Sequence, residues 1–178
     1  MNRGKLVLIG GGARSGKSAF ALRLASKLGE RRAFVATARA GDGEMRERIA
    51  RHRKERQDEF DTVEVPLDLP DALGALGGYQ VVVVDCVTHW ITNLLLADVS
   101  ADAILREVDR LTDVLAASTY HSVLVTNEVG MSIHPETALG RAFVEVVGWT
   151  NQRLARASDE VYFAVMGAVL PIAKNADH

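Results

Sequence analysis

A chain of 178 residues that is 48% hydrophobic and 25% charged has an ordinary globular composition, is long enough to bury about 70% of its unfolded surface, and reads as one domain over residues 1–178. A net charge of −2 gives no electrostatic footprint for nucleic acid or an anionic membrane, and a single cysteine, Cys86, excludes a disulfide framework and a thiolate metal cluster. No signal pattern opens the sequence and no apolar run reaches spanning length, so the expectation is a cytoplasmic enzyme or switch without an integral membrane segment.

The first element is an apolar run, Leu6 to Ile9, that leads into a glycine-rich turn. Gly11, Gly12, Ala13, Arg14, Ser15, Gly16, Lys17 and Ser18 have the spacing G-x-x-x-x-G-K-S of a phosphate-binding loop. Glycines let the backbone curl until successive N–H groups point inward as an anion nest, and the positive end of the following helix adds to it. Lys17 is then placed to reach the β- and γ-phosphates, and the Ser18 hydroxyl to sit on Mg²⁺. Phe20, Leu24 and Leu28 recur at helical spacing, which predicts a helix from Lys17 to Leu28 stopped by Gly29. A strand at Ala33 to Thr37 follows. Strand, loop, helix and strand in that order predict a parallel α/β sheet, because parallel neighbours need a crossover.

After the Gly41-Asp42-Gly43 turn, the spacing predicts a helix in which Met45, Ile49, His52 and Arg56 share one face. His52 would look inward, surrounded by Arg46, Arg48, Arg51, Arg53, Lys54 and Arg56. Two readings stand: a surface helix with solvated charges and a packed histidine, or a histidine among cations that handles phosphate. A short strand, Thr62 to Val65, ends at Pro66, and residues 68–76 make a brief helix stopped by Gly77-Gly78. Four consecutive valines, Val81 to Val84, suit a central strand buried on both faces. Asp85 at its end is a candidate Mg²⁺ holder, the alternative being a carboxylate that caps the next turn.

Residues 88–97 read as a buried helical piece. Helix 101–117 places Ile104, Val108, Leu111 and Leu115 on one face behind a Ser100 N-cap. Strand His121 to Thr126 opens onto a polar loop, and open α/β sheets hold ligands at that end, which makes Asn127 and Glu128 candidates to orient a substrate; turn chemistry is the alternative. Helix 136–157 carries Leu139, Phe143, Val146, Val147 and Leu154 on its expected inner stripe. A last strand, Glu160 to Met166, completes the sheet, with Pro171 to His178 expected as a loose tail.

Seven blocks in register, GGARSGKS, VATA, EMRERIARHRKER, TVEVP, VVVVDCVTHWITNLL, VTNEVGMSIHP and GRAFVEVVGWTNQRLA, resemble the bifunctional adenosylcobinamide kinase / adenosylcobinamide-phosphate guanylyltransferase family of cobalamin biosynthesis. The resemblance implies a P-loop NTPase fold with a RecA-like, mostly parallel sheet, and a homotrimer. It also implies two reactions: phosphorylation of adenosylcobinamide with ATP or GTP, then GMP transfer from GTP through a histidine–GMP intermediate onto the new phosphate. The family histidine aligns with His52. Family nucleotide contacts fall on Gly11 to Ser18, Ala36, Thr37, Ala38, Arg53, Lys54, Glu55, Arg56, Glu64 and Asp85. The sequence departs from the family pattern at Gly10, Gln57, Phe60, Ser132 and His134.

The residues and the resemblance converge on His52 as nucleophile and Lys17 as the catalytic cation. Two rival functions predict different behaviour. A monofunctional small-molecule kinase needs the loop and a metal acid but no inward histidine among six cations. A nucleotide-gated regulatory module would show no turnover with any cobinamide.

Overall fold

Residue types that favour extended backbone, above all the valine run 81–84, build one seven-stranded sheet in the computed structural model, which describes residues 3–38 and 59–173. In chain order the described elements are β1 (Leu6–Gly11), α1 (Lys17–Leu28), β2 (Arg32–Ala36), β3 (Asp61–Glu64), α2 (Leu69–Ala75), β4 (Val81–Asp85) and α3 (Val87–Leu96). They continue with α4 (Ala101–Ala117), β5 (His121–Val125), α5 (Ala138–Ala157), β6 (Glu160–Val165) and β7 (Ala168–Pro171). The helix expected over Met45 to Arg56, with His52, Arg53, Lys54, Glu55 and Arg56, lies outside the described residues.

The strand order is β3-β2-β4-β5-β1-β6-β7. The first six strands pair in parallel, and only β7 runs antiparallel, against β6. Side chains alternate along each strand, so the sheet has two apolar faces. Val7, Ile9, Phe34, Val83, Val123 and Val125 pack with Ala21 and Ala25 of α1 on one of them. Leu8, Val35, Val82, Val84 and Leu124 face the other way, against Leu73 of α2, Trp90 of α3, Leu111 of α4 and Leu154 of α5. Among the described residues, one helix covers one face and four cover the other.

Ser100 caps α4 as expected, its Oγ accepting the Ala103 N–H at 3.4 Å. Thr137 caps α5 in the same manner, accepting from the Gly140 N–H at 3.0 Å, so this helix starts later than the apolar spacing alone indicates. Val146, Val147 and Leu154 lie on the inner stripe, but Leu139 is a correction: it is 56% exposed. The first turn of α5 lines an open groove with Thr92, Leu95 and Leu96 of α3, which leaves Leu139 in contact with solvent.

The C-terminal region brings a second correction. Residues 168–171 form a paired strand, in register from Val165↔Ala168 to Tyr162↔Pro171, so Pro171 belongs to the sheet and not to a tail. The turn that makes this possible is Met166-Gly167, with φ of 51° and 80°. Two successive positive values are the signature of a tight hairpin turn. Proline is tolerated because β7 is an edge strand.

Tyr120, buried just before β5, donates from its hydroxyl to the Leu73 carbonyl at 2.9 Å. Burial pushes its pKa up from 10.0 to about 12. The folded chain therefore keeps a proton that the unfolded chain releases above pH 10, and stability that is complete below that pH is lost as pH rises towards 12. Urea unfolding as a function of pH should show a loss of about 2 to 3 kcal/mol from this residue across that window. Tyr120→Phe should flatten the window and cost about 1 kcal/mol at neutral pH.

Candidate active site: a phosphate cradle and an adjoining cleft

Everything that positions the candidate site lies at the C-terminal edge of the parallel strands, where open α/β sheets bind ligands. The glycine-rich loop leaves β1 there and enters α1. Gly11 has φ +149° and Gly16 φ +96°, values that favour glycine. A Cβ on Gly11 would lie 2.4 Å from the Ala164 carbonyl oxygen and 2.9 Å from Ser15 Oγ, so glycine is also required by space. Arg14, at φ 57°, is the other left-handed residue of the loop.

Two backbone hydrogen bonds clamp this curl to its neighbours. Glu128 N–H donates to the Gly11 carbonyl at 3.1 Å, and Gly167 N–H donates to the Ser15 carbonyl at 3.1 Å. Lys17 is only 7% exposed. Its Nζ donates to the Gly12 carbonyl at 2.8 Å, which holds the ammonium inside the curl. Ser15 Oγ is buried in the loop with no hydrogen-bond partner, an arrangement that is costly unless a ligand supplies one. A glycine-required curl at the head of α1, a buried ammonium and an orphaned hydroxyl make a cradle for phosphate oxygens.

Asp85 ends β4, half-buried, in a row of paired positions that crosses the sheet: Glu64, Ala36, Asp85, Val125 and Ile9. Alternation places this row on the α1 face, with Ile9, Val125 and Ala36 packed in that cluster. Asp85 is thus on the same face as the start of α1, two strands and about 10 Å from β1. Ser18 sits half-buried in the first turn of that helix. A hydroxyl and a carboxylate are the hard oxygen donors that suit Mg²⁺ held jointly with phosphate oxygens, and the pair fits that ion. Among the described residues no group of three or more His, Cys, Asp or Glu could hold a metal on protein ligands alone.

Not every expected residue comes to the cradle. Glu64 is exposed and four strands from β1, about 19 Å away across the sheet. Thr37 is fully buried, and its hydroxyl both accepts from the Cys86 N–H at 3.0 Å and donates to the Cys86 carbonyl at 2.7 Å. It splices β2 to the end of β4, with Asn93 Nδ2 donating to the Thr37 carbonyl at 2.8 Å. Ala36 and Ala38 flank it, half-buried.

Asn127 is locked from several directions. Its N–H donates to Thr88 Oγ1 at 2.8 Å, its carbonyl accepts from Asn151 Nδ2 at 3.1 Å, and its side chain lies 3.8 Å from Cys86 Sγ. Thr126 Oγ1 donates to Asn151 Oδ1 at 2.7 Å and lies 3.2 Å from Thr88 Oγ1. This buried polar network fixes the loop that carries Glu128. Glu128 Oε1 accepts from the Gly130 N–H at 2.6 Å.

Beside the cradle opens a cleft of about 990 Å³. Gly12 to Ser15 form one wall; Thr92 of α3, Met131 of the loop, Phe143 and Val144 of α5 and Phe163 of β6 form the others. Sequence reasoning missed Thr92, Met131, Phe143, Val144 and Phe163 as cleft residues and missed Gly167, because their roles depend on elements far apart in the chain. A signal for the hairpin was present: a glycine turn, Met166-Gly167, between two strand-forming runs.

A profile of the family described as cobinamide kinase / cobinamide phosphate guanyltransferase matches residues 7–172. The bifunctional adenosylcobalamin biosynthesis protein CobP of Pseudomonas aeruginosa is 41% identical over 166 residues, covering 93% of this chain and 95% of the relative. The corresponding CobU protein of Escherichia coli is 38% identical over 175 residues, 91% and 96% of the two chains, and that of Salmonella typhimurium is 37% identical with the same coverage. Among solved structures, the RadB recombinase superposes with a TM-score of 0.54 at 18% identity, covering 90% of this chain and 74% of that one. The flagellar accessory protein FlaH of Methanocaldococcus jannaschii superposes with a TM-score of 0.50 at 14% identity, covering 98% and 78%. These two share the P-loop NTPase fold.

Gly11→Ala should cost about 2 kcal/mol of stability by urea denaturation, because it adds a clash to a strained φ. Gly12→Ala, whose Cβ would meet nothing within 4 Å, should stay within about 0.5 kcal/mol of the parent.

Proposed function

The chain belongs to the cobinamide kinase / cobinamide phosphate guanyltransferase family, and from that membership we propose that it carries out both reactions on one triphosphate cradle, as a single domain over residues 1–178. The substrates are ATP or GTP, adenosylcobinamide and its phosphate, and the setting is cobalamin biosynthesis in the cytoplasm by a homotrimer. The observation that carries the proposal is the cradle itself: glycine-required curvature, a buried Lys17 and an unpartnered Ser15 hydroxyl at the head of α1.

In the first reaction the aminopropanol hydroxyl of adenosylcobinamide attacks the γ-phosphorus; the new O–P bond forms as the bond to the β-phosphate oxygen breaks, and the hydroxyl proton leaves. Lys17 and the loop N–H groups neutralise charge on the transferring and departing phosphates. Ser18 and Asp85 are the residues that would hold Mg²⁺, which when bound would add to the neutralisation of phosphate charge. Glu128 is the candidate to orient the hydroxyl, with Asn127 holding the loop.

In the second reaction the neutral imidazole of His52 attacks the α-phosphorus of GTP. An N–P bond forms, the bond to the bridging oxygen breaks, and pyrophosphate departs. An oxygen of adenosylcobinamide phosphate then attacks the same phosphorus and the N–P bond breaks, which yields adenosyl-GDP-cobinamide and restores the histidine. Arg53, Lys54 and Arg56, with Glu55 between them, would offset charge at the α-phosphoryl group. β2 ends at Ala36, at the same C-terminal edge of the sheet as the cradle, and His52 follows it in the sequence before β3. Ala36, Thr37, Ala38 and Glu64 would then border the nucleoside and not the γ-phosphate.

Incubation with α-labelled GTP should leave an acid-labile, alkali-stable label on the protein that is absent in His52→Ala; an unlabelled wild type would reduce the protein to a kinase. Lys17→Ala should lower both reactions by about a hundred-fold or more. His52→Ala should abolish GMP transfer while phosphorylation of adenosylcobinamide remains measurable, and equal loss of both would make the histidine structural.

A further inference from the structure

We propose that the cleft beside the phosphate cradle is the seat of the corrinoid acceptor, an inference that rests on the kinase reading above. The sheet separates the two substrates. Asp85 and the row it belongs to lie on the α1 face, whereas the cleft opens between α3 and α5, helices of the opposite face. The glycine-rich loop is common to both sides, because Gly12 to Ser15 form a wall of the cleft. Phosphoryl transfer requires attacking and leaving oxygens in line, on opposite sides of the phosphorus. A triphosphate that runs from the cradle toward Asp85 leaves the cleft as the direction from which a hydroxyl attacks. Glu128 sits at that junction, tied by its own N–H to Gly11 and lining the cleft.

The lining identifies the occupant's chemistry. Among the described lining residues Arg14 is the only lysine or arginine, too little positive charge for a second nucleotide. Phe143, Val144, Phe163 and Val129 make the walls apolar. The two lips carry methionines, Met131 at 82% exposure and Met166 at 96%. Unbranched thioethers adapt to an irregular apolar outline. A volume of about 990 Å³ stands at the upper end of the roughly 300–1,000 Å³ common for small-molecule pockets. A cleft that is large, apolar-walled and open suits a corrin macrocycle that keeps part of its amide periphery in water while its aminopropanol arm reaches the cradle.

The test uses the full chain and two variants. Val144→Trp fills the cleft from α5, and Met131→Asp places a charge on its exposed lip, where the fold is insensitive. Steady-state phosphorylation of cobinamide with γ-labelled ATP is measured beside the affinity for a fluorescent nucleotide, thermal midpoint and sedimentation. Each folded variant should lose at least ten-fold in kcat/KM for cobinamide, through a raised KM, with nucleotide affinity within two-fold of wild type. Unchanged kcat/KM in Met131→Asp and in a folded Val144→Trp overturns the proposal. So does a change in oligomeric state with an unchanged KM, which would make the cleft a contact between copies of the chain. Equal loss of nucleotide and cobinamide binding also overturns it. A wild type that phosphorylates no cobinamide refutes the kinase reading itself, and that result is separable because it needs no variant.

Discussion

The candidate site depends on how tightly the curl after β1 is held. A loop between a strand and a helix has given up their hydrogen bonds along several residues, and it keeps one shape more firmly when its carbonyls are satisfied from outside. Here Gly11 receives the Glu128 N–H and Ser15 receives the Gly167 N–H. One donor comes from the loop after β5 and the other from the turn between β6 and β7, the strands on either side of β1. The Ala164 carbonyl presses so close to Gly11 that a methyl group there would overlap it. The cradle is therefore a property of three adjacent strands and not of its own eight residues.

The same sheet order divides the chemistry. β5 lies between β1 and β4, so the aspartate that ends β4 stands two strands, about 10 Å, from the strand that carries the cradle. Side-chain alternation assigns Asp85 to the face covered by α1, while α3, α5 and the 127–135 loop enclose the opposite face. The polar network of Thr88, Thr126, Asn127 and Asn151 joins three of these elements beneath the cleft. Buried networks of this kind are stabilising only when each member finds a partner, which makes the loop carrying Glu128 rigid by construction.

Much of this was legible from local pattern. The phosphate loop, the parallel α/β class, the buried valine strand with its terminal acid and the inner stripe of α4 all follow from spacing and residue type, and each stands in the structure where it was expected. The misreadings have local causes. Leu139 fits the apolar period of α5, but a period does not reveal that the groove it lines with α3 stays open to solvent. Pro171 looked like the start of a tail, yet the Met166-Gly167 turn folds residues 168–171 back as an edge strand.

By itself the sequence determined the element types, the anion-binding loop and the family, because helix and strand periods and an eight-residue phosphate motif are encoded over short stretches of chain. Only the tertiary structure decided that Gly167 buttresses Ser15, that Glu64 stands four strands from the cradle, and that an apolar cleft opens on the face opposite Asp85. Those relations join residues up to about 150 positions apart, such as Ser15 and Gly167. They follow from the order in which strands pair, which no local spacing records.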